Sequence, residues 1–269
     1  MDNRPIGFFD SGLGGLTSVA ILNKTLPNEK VIYYGDTART PYGSKSPETI
    51  RRFAKDIVGY LLSKDVKLVV IACNTVTAMA LEYLREEFPE VPIIGVVEPT
   101  ARKVAEDGNG KVGIIGTKVT IASRVYEKTL EELSPGIETE SLACPAFVPL
   151  IEEGIIDNEI MDLTIRFYMD EFVENGDFER LILGCTHYPL IAHRISHFYP
   201  QLKLYDSSAE VVKLAKKILE ERDMLADPGD DTGDSNCRCY ASDLSDSFID
   251  MTNRLLSSDR TRIKLKKLS

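Results

Sequence analysis

Short apolar runs recur along this chain, and most lead through a small or polar residue into apolar positions spaced three or four apart. The first pattern fits a buried strand and the second an amphipathic helix. Strands are therefore expected at Pro5 to Phe9, Val31 to Tyr34, Lys67 to Ala72, Pro92 to Val97, Lys111 to Ile115, Glu138 to Ala143, Leu181 to Leu183, Leu202 to Tyr205 and near Asn236 to Ala241. Helices are expected between them: to about Leu26, from Pro47 to about Ser63, from Cys73 to Glu87, to about Leu133, around Phe147 to Glu153, from Asn158 to Glu174, after Cys185, from Ser208 to about Glu221, and last in the chain. Ser46 can cap the second of these, with Pro47 at its first position. Strands alternating with helices at this spacing predict an α/β fold with parallel sheets flanked by helices.

The pattern restarts after Glu98-Pro99, and two apolar runs are near-copies: Leu68 to Ala72 leads into Cys73-Asn74-Thr75, and Leu181 to Gly184 into Cys185-Thr186-His187. Asp10 precedes Cys73 by 63 residues and Thr117 precedes Cys185 by 68, which points to two similar α/β domains. We expect 1–97 plus 207–269 to form the first and 98–206 the second, with the active site in the cleft between them. Each cysteine then sits at the carboxyl end of a buried strand, where sites form in such folds. The amino end of a following helix would favour thiolate over thiol there.

Composition narrows the function. With 32 basic and 42 acidic residues the net charge is −10, so no nucleic-acid partner is expected. No run reaches the ~20 apolar residues of a membrane helix, and Met1 to Pro5 shows no secretory pattern, so the expected location is cytoplasmic and no membrane contact is expected. Five cysteines, an odd count, fit free thiols better than a disulfide framework. Cys237-Arg238-Cys239 offers two ligands where zinc normally takes four, so no metal is expected and the pair reads as strand alternation. The acidic stretch Asp227 to Asp234 reads as a loop, and the basic tail Arg260 to Lys267 as a frayed terminus.

A buried cysteine is more often core than catalyst. Here the polar company of Asn74, Thr75, Thr186 and His187 shifts the balance, because packing does not ask for it. Inverting a carbon that bears an acidifiable hydrogen needs a base on one face and an acid on the other, and two thiols on opposite walls meet that need. One must be thiolate while the other stays thiol, so their titrations are coupled. The turn Gly12-Leu13-Gly14-Gly15 with Asp36 beyond it invites a nicotinamide dinucleotide, but Thr17 stands where the third glycine belongs. A backbone cradle for a small carboxylate fits better, with Asp10 left free as an acid or base.

Phe9 to Gly15, Tyr34-Gly35-Asp36-Thr37, Pro41-Tyr42-Gly43, Ala72 to Thr75, Cys144 to Gly154 and Gly184 to Pro189, in this order and spacing, together resemble the glutamate racemase family. The resemblance runs from about Ile6 to Glu210. It implies cofactor-independent interconversion of L- and D-glutamate, supplying D-glutamate for peptidoglycan, by a homodimer. It also implies catalytic roles for Cys73 and Cys185, the first acting on the D-enantiomer with help from Asp10, the second on the L-enantiomer with help from His187. Asp36 and Glu152 match supporting acids, and Cys144 is taken as structural. Substrate contacts are implied for Asp10, Ser11, Tyr42, Gly43, Asn74, Thr75, Thr186 and His187, with Thr117 and Thr120 joining them.

Rival readings are a racemase of aspartate or another small dicarboxylate, a non-catalytic two-domain protein binding an acidic metabolite, and a redox protein. One methylene is worth only ~1–3 kcal/mol, so physics alone does not separate glutamate from aspartate. Binding alone has no use for two thiols, and neither strand-end cysteine has a Cys-X-X-Cys partner.

Overall fold

A computed structural model describes residues 1–228, 237–256 and 261–268. Most of the expected acidic loop, Asn236 at the start of an expected strand, and Arg260 of the basic tail lie outside these residues. In chain order the elements are β1 (Ile6–Asp10), α1 (Leu16–Thr25), β2 (Val31–Gly35), α2 (Pro47–Leu62), β3 (Leu68–Ile71), α3 (Asn74–Glu87), β4 (Ile93–Gly95) and α4 (Val97–Glu106). Then come β5 (Gly110–Gly116), α5 (Lys118–Ser123), α6 (Val125–Leu133), β6 (Ile137–Ala143), α7 (Phe147–Glu152), α8 (Glu159–Gly176), β7 (Arg180–Gly184), α9 (Ala192–Phe198) and β8 (Lys203–Asp206). Last are α10 (Ser207–Glu221), β9 (Cys237–Ala241), α11 (Asp246–Leu256) and β10 (Thr261–Leu265).

The strands form two sheets, ordered β10-β9-β2-β1-β3-β4 and β6-β5-β7-β8, and every pairing is parallel. The inner order β2-β1-β3-β4 repeats as β6-β5-β7-β8, so the two sheets share one topology. In each, the strand order reverses between the first strand and the third, and the crevice at that reversal is where open α/β sheets bind ligands. One face of the larger sheet packs Phe9, Tyr34, Val69 and Ile71 under α2 and α3 through Ile50, Ile57 and Val76. The other face, with Ile6, Phe8, Tyr33 and Val70, continues without a break into the core of the smaller sheet.

Four expectations need correction. Val97 to Glu106 is helix rather than a strand end, because Pro99 falls in the first turn, where a missing N–H leaves no helical bond unmade. The single helix expected after β5 is two, broken at Arg124, which takes a left-handed φ of 54° while the Ser123 hydroxyl accepts the N–H of Val125. After Cys185 comes a four-residue 3-10 turn, Tyr188–Ile191, before α9 begins. The basic tail is not frayed: Thr261 to Leu265 pairs with β9 as an edge strand, and the Lys266 N–H donates to Ala241 O at 2.8 Å. Arg262 and Lys264 lie on its exposed positions, where charge suits an edge strand.

At the amino edge of the larger sheet a buried ion pair ties the chain together. Lys67 Nζ lies 2.6 Å from Glu29 Oε2 and donates to the carbonyls of Asp2 and Met224, while Glu29 Oε1 accepts the N–H of Ala226 at 2.8 Å. Both side chains are essentially inaccessible to water. Breaking such a pair from one side strands the other charge. Lys67→Met is expected to lower unfolding free energy by about 3–5 kcal/mol in urea denaturation; a loss within experimental error would mean the pair is dispensable.

Candidate active site

The sequence places polar residues directly after the two strands at each order reversal. After β1 come Ser11 and the glycine turn, and after β3 comes Cys73, the residue preceding the first turn of α3, with Asn74 and Thr75 inside that turn. After β5, Thr117 caps α5 by accepting the Thr120 N–H at 3.3 Å, and after β7 come Cys185, Thr186 and His187. These segments meet in one cleft. Its walls carry Ser11, Tyr42, Gly43, Cys73, Asn74, Thr75, Thr117, Cys185, Thr186 and His187, all expected from the sequence, together with Thr40, Pro41 and Val148, which were not. Pro41 and Val148 lie in stretches that carry the resemblance but have no functional group to single them out, and Thr40 stands just before the first of these.

Four expected residues stand behind the walls. Asp10 is fully buried; it accepts the Gly12 N–H at 3.1 Å and the Thr186 hydroxyl at 3.2 Å. Thr120 is 1% exposed and completes a triangle of hydroxyls with Thr75 at 3.2 Å and Thr117 at 3.0 Å, the last two being 2.9 Å apart. Asp36 reaches the cleft only through Tyr42, whose hydroxyl donates to it, and it also accepts Arg39 Nε at 2.7 Å. Glu152, despite its helical setting at the end of α7, accepts a hydrogen bond from His187 Nε2 at 3.1 Å.

Burial sets the electrostatics. The Cys73 thiol is pushed up to about 12, by burial first and the Asp10 charge second, although its hydroxyl neighbour Ser11 at 3.5 Å works the other way. The expected helix-end preference for thiolate is thus outweighed at Cys73. At Cys185 it is not supplied at all, since only the short 3-10 turn follows. What stands beside it instead is an imidazole: Cys185 Sγ lies 3.8 Å from His187 Nδ1. Burial opposes charge on His187, but its contacts with Cys185 and Glu152 outweigh that and raise it to about 10. Asp10 is also raised, by burial, with His187 and the Gly12 N–H pulling against it.

The glycine turn has a use other than phosphate. A Cβ on Gly14 would stand 2.4 Å from Thr186 Oγ1 and 2.7 Å from His187 Nδ1, and one on Gly15 would stand 2.7 Å from the Cβ of Asp10. The glycines therefore let the β7 turn of the smaller sheet close against the larger one, in the place a pyrophosphate would need. Cys144 is buried outside the cleft walls, its thiol pushed up by burial. Cys237 and Cys239 are both buried on β9 with their sulfurs 3.6 Å apart, on the inward positions of an alternating strand. Among the described residues no group of three or more histidine, cysteine or acidic side chains is placed to hold a metal. A larger cavity of about 460 Å³ lies between the turn after α7 and α11, but it contains neither thiol.

The elevated His187 value gives a pH signature. Because the folded value exceeds the ordinary imidazole value of about 6.5, His187 adds stability that is complete below that pH and lost as pH rises through about 10. Wild type should therefore lose more stability between those limits than His187→Gln does, read from urea midpoints at stepped pH. Parallel curves for the two proteins would rule this out.

The Asp/Glu/Hydantoin racemase pattern matches residues 17–215. A glutamate racemase of Geobacter metallireducens is 44% identical over 255 residues, covering 94% of this chain and 93% of that one. The crystal structure of glutamate racemase from Francisella tularensis in complex with D-glutamate superposes with a TM-score of 0.90 at 37% identity, covering 100% of this chain and 99% of that one. The Escherichia coli glutamate racemase in complex with L-glutamate and the activator UDP-MurNAc-ala gives 0.80 at 25% identity, covering 99% of each chain. With a match at this identity along nearly its whole length and the same fold, the chain belongs to the Asp/Glu/hydantoin racemase family, among the glutamate racemases.

Proposed function

We propose that this protein interconverts L-glutamate and D-glutamate without a cofactor, one cysteine removing the α-proton from one face and the other returning a proton to the opposite face. The observation that carries this reading is the pair Cys73 and Cys185, each following an interior strand of its own sheet and each lining the same cleft. From L-glutamate, the Cys185 sulfur as thiolate takes the α-proton and the electron pair passes into the α-carboxylate. The Cys73 thiol then protonates the other face. Cys73 ends as thiolate and Cys185 as thiol, so the reverse reaction begins from that state. The elevation of Cys73 keeps it protonated at rest, as the L-to-D direction requires, and the His187 cation balances negative charge at Cys185. We assign Asp10 to exchanging the proton of Cys73 and Glu152 to holding His187. Asp36 is assigned to fixing Tyr42.

A dicarboxylate suits walls of this composition. The hydroxyls of Ser11, Thr75, Thr117 and Thr186, the Tyr42-Gly43 backbone and the amino end of α3 offer hydrogen-bond donors to two carboxylates. Relatives bound to D-glutamate and to L-glutamate favour glutamate over aspartate. The cleft as it stands encloses about 20 Å³, room for about one water, so admitting an amino acid requires its walls to part. That motion would run between the two units at 1–97 plus 207–269 and 98–206, a division supported by the strands each sheet contains.

Supply of D-glutamate for peptidoglycan in the cytoplasm follows from this activity as part of the same proposal. No helix among the described residues is long and apolar enough to cross a membrane. A homodimer is also proposed, supported by the exposed side chains of Ile160, Leu163 and Phe167 spaced along α8. Phe167→Glu should then shift sedimentation toward the monomer, whereas a monomeric wild type would remove the proposal.

The test is circular dichroism of L-glutamate incubated with the protein in heavy water, followed by mass analysis of the recovered amino acid. Loss of optical activity with deuterium at the α-carbon is expected, retained in Cys144→Ala and abolished in Cys73→Ala and Cys185→Ala. Equal activity in all three variants would overturn the two-thiol mechanism, and unchanged optical activity with folded, reduced wild type would overturn glutamate as the substrate.

A further inference from the structure

Asn74, beside Cys73 on the cleft wall, is 2% exposed and has its side chain gripped from two sides by distant parts of the chain. Its Oδ1 accepts the hydroxyl of Tyr126 at 2.6 Å, and its Nδ2 donates to Ser207 Oγ at 3.3 Å. Tyr126 lies on α6 and is 1% exposed; Ser207 opens α10 and is fully buried. An asparagine amide has nearly the same shape either way round, so packing alone cannot fix which end faces the cleft. Hydrogen bonding can, and in this structure the amide is held with its oxygen to Tyr126 and its nitrogen to Ser207. A phenol has a single proton to donate, and Tyr126, kept protonated by burial, gives it to the amide oxygen. The nitrogen donates one of its two protons to Ser207.

We propose that Tyr126 is a positioning residue for the substrate: by holding Asn74 Oδ1 it fixes the amide with an N–H, rather than a carbonyl oxygen, toward an anionic ligand next to Cys73. This rests on the glutamate reading above. If the amide turned round, a lone pair would face the substrate carboxylate in a site with little water to screen it. The break at Arg124 serves the same end, because it starts α6 afresh and α6 carries Tyr126 into the interior. No local sequence feature signals this role, since a tyrosine on an amphipathic helix reads as core.

Steady-state kinetics in both directions, and calorimetric affinity for L-glutamate, would be measured for Tyr126→Phe, Asn74→Ala and the double variant. Tyr126→Phe removes one hydroxyl without altering shape. It is expected to raise KM for both enantiomers, and the L-glutamate Kd, by about tenfold, roughly one hydrogen bond's worth, with a much smaller change in kcat. The double variant is expected to match Asn74→Ala alone, because residues acting through one another do not add. Tyr126→Phe with unchanged KM and Kd, or a double variant showing the product of the single effects, would overturn the proposal. Should Tyr126→Phe not fold, Ser207→Ala removes the other hold on the amide and carries the same expectation. A wild type that binds but does not racemise glutamate would sink the functional reading, while the Kd comparison would still decide the positioning role.

Discussion

The site depends on how closely two turns approach each other. The turn after β1 and the turn after β7 come so near that a single carbon on Gly14 would overlap both Thr186 and His187. Because no side chain intervenes, Thr186 reaches Asp10 directly and the second sheet seals over a carboxyl group that has no access to water. Glycine is usually valued for conformational freedom, but these residues carry ordinary negative φ values, and what matters is the absence of a Cβ. Separate the turns by the width of a methyl group and Asp10 hydrates, the thiols hydrate, and the perturbed acidities relax toward ordinary values.

Sealing the cleft has opposite effects on its two walls. On the larger sheet, burial and the neighbouring carboxyl group of Asp10 both disfavour an anionic sulfur at Cys73. On the smaller sheet, the same burial would disfavour a charged His187, yet the imidazole is held between Cys185 and Glu152 and its proton is retained. One wall thus holds a thiol whose ionisation is disfavoured and the other an imidazolium 3.8 Å from a sulfur. What stands behind the two cysteines differs, and the proposed reaction, with one sulfur as acid and one as base, uses that difference.

Much of this was legible in the sequence because it rests on local pattern. Apolar runs ending in a small residue placed Cys73 and Cys185 at strand ends, and the matched spacing from Asp10 and Thr117 anticipated two sheets of like topology. Errors arose where a local rule had a second solution. Pro99 looked like a stop and proved to be a first-turn proline, and Arg262 and Lys264 of the tail looked like frayed, solvated charge and proved to alternate on an edge strand. What stayed hidden was contact between distant segments. Asp36 belongs behind Tyr42 rather than in the cleft, and Tyr126 and Ser207 meet Asn74 across 52 and 133 residues. Nothing in the neighbourhood of a tyrosine says which amide it will meet.

The repeated strand order bears on the proposed chemistry itself. L- and D-glutamate are mirror images of equal free energy in water, so an enzyme working on both needs comparable acid–base equipment on the two faces of one carbon. A fold that repeats the order β2-β1-β3-β4 as β6-β5-β7-β8 supplies a cysteine after the third strand of each unit. Bringing the two carboxyl edges together sets those cysteines on facing walls without any further device. The repeated topology cannot give identical surroundings, because under the proposed function the same cleft must also hold an asymmetric molecule with two carboxylates. The differences fall where that requirement predicts: Ser11 and the Tyr42 loop on one wall with Asp10 behind them, Thr186 and His187 on the other with Glu152 behind them. Near-symmetry of the backbone provides the two-sided proton transfer, and asymmetry of the side chains decides how the substrate lies between the thiols.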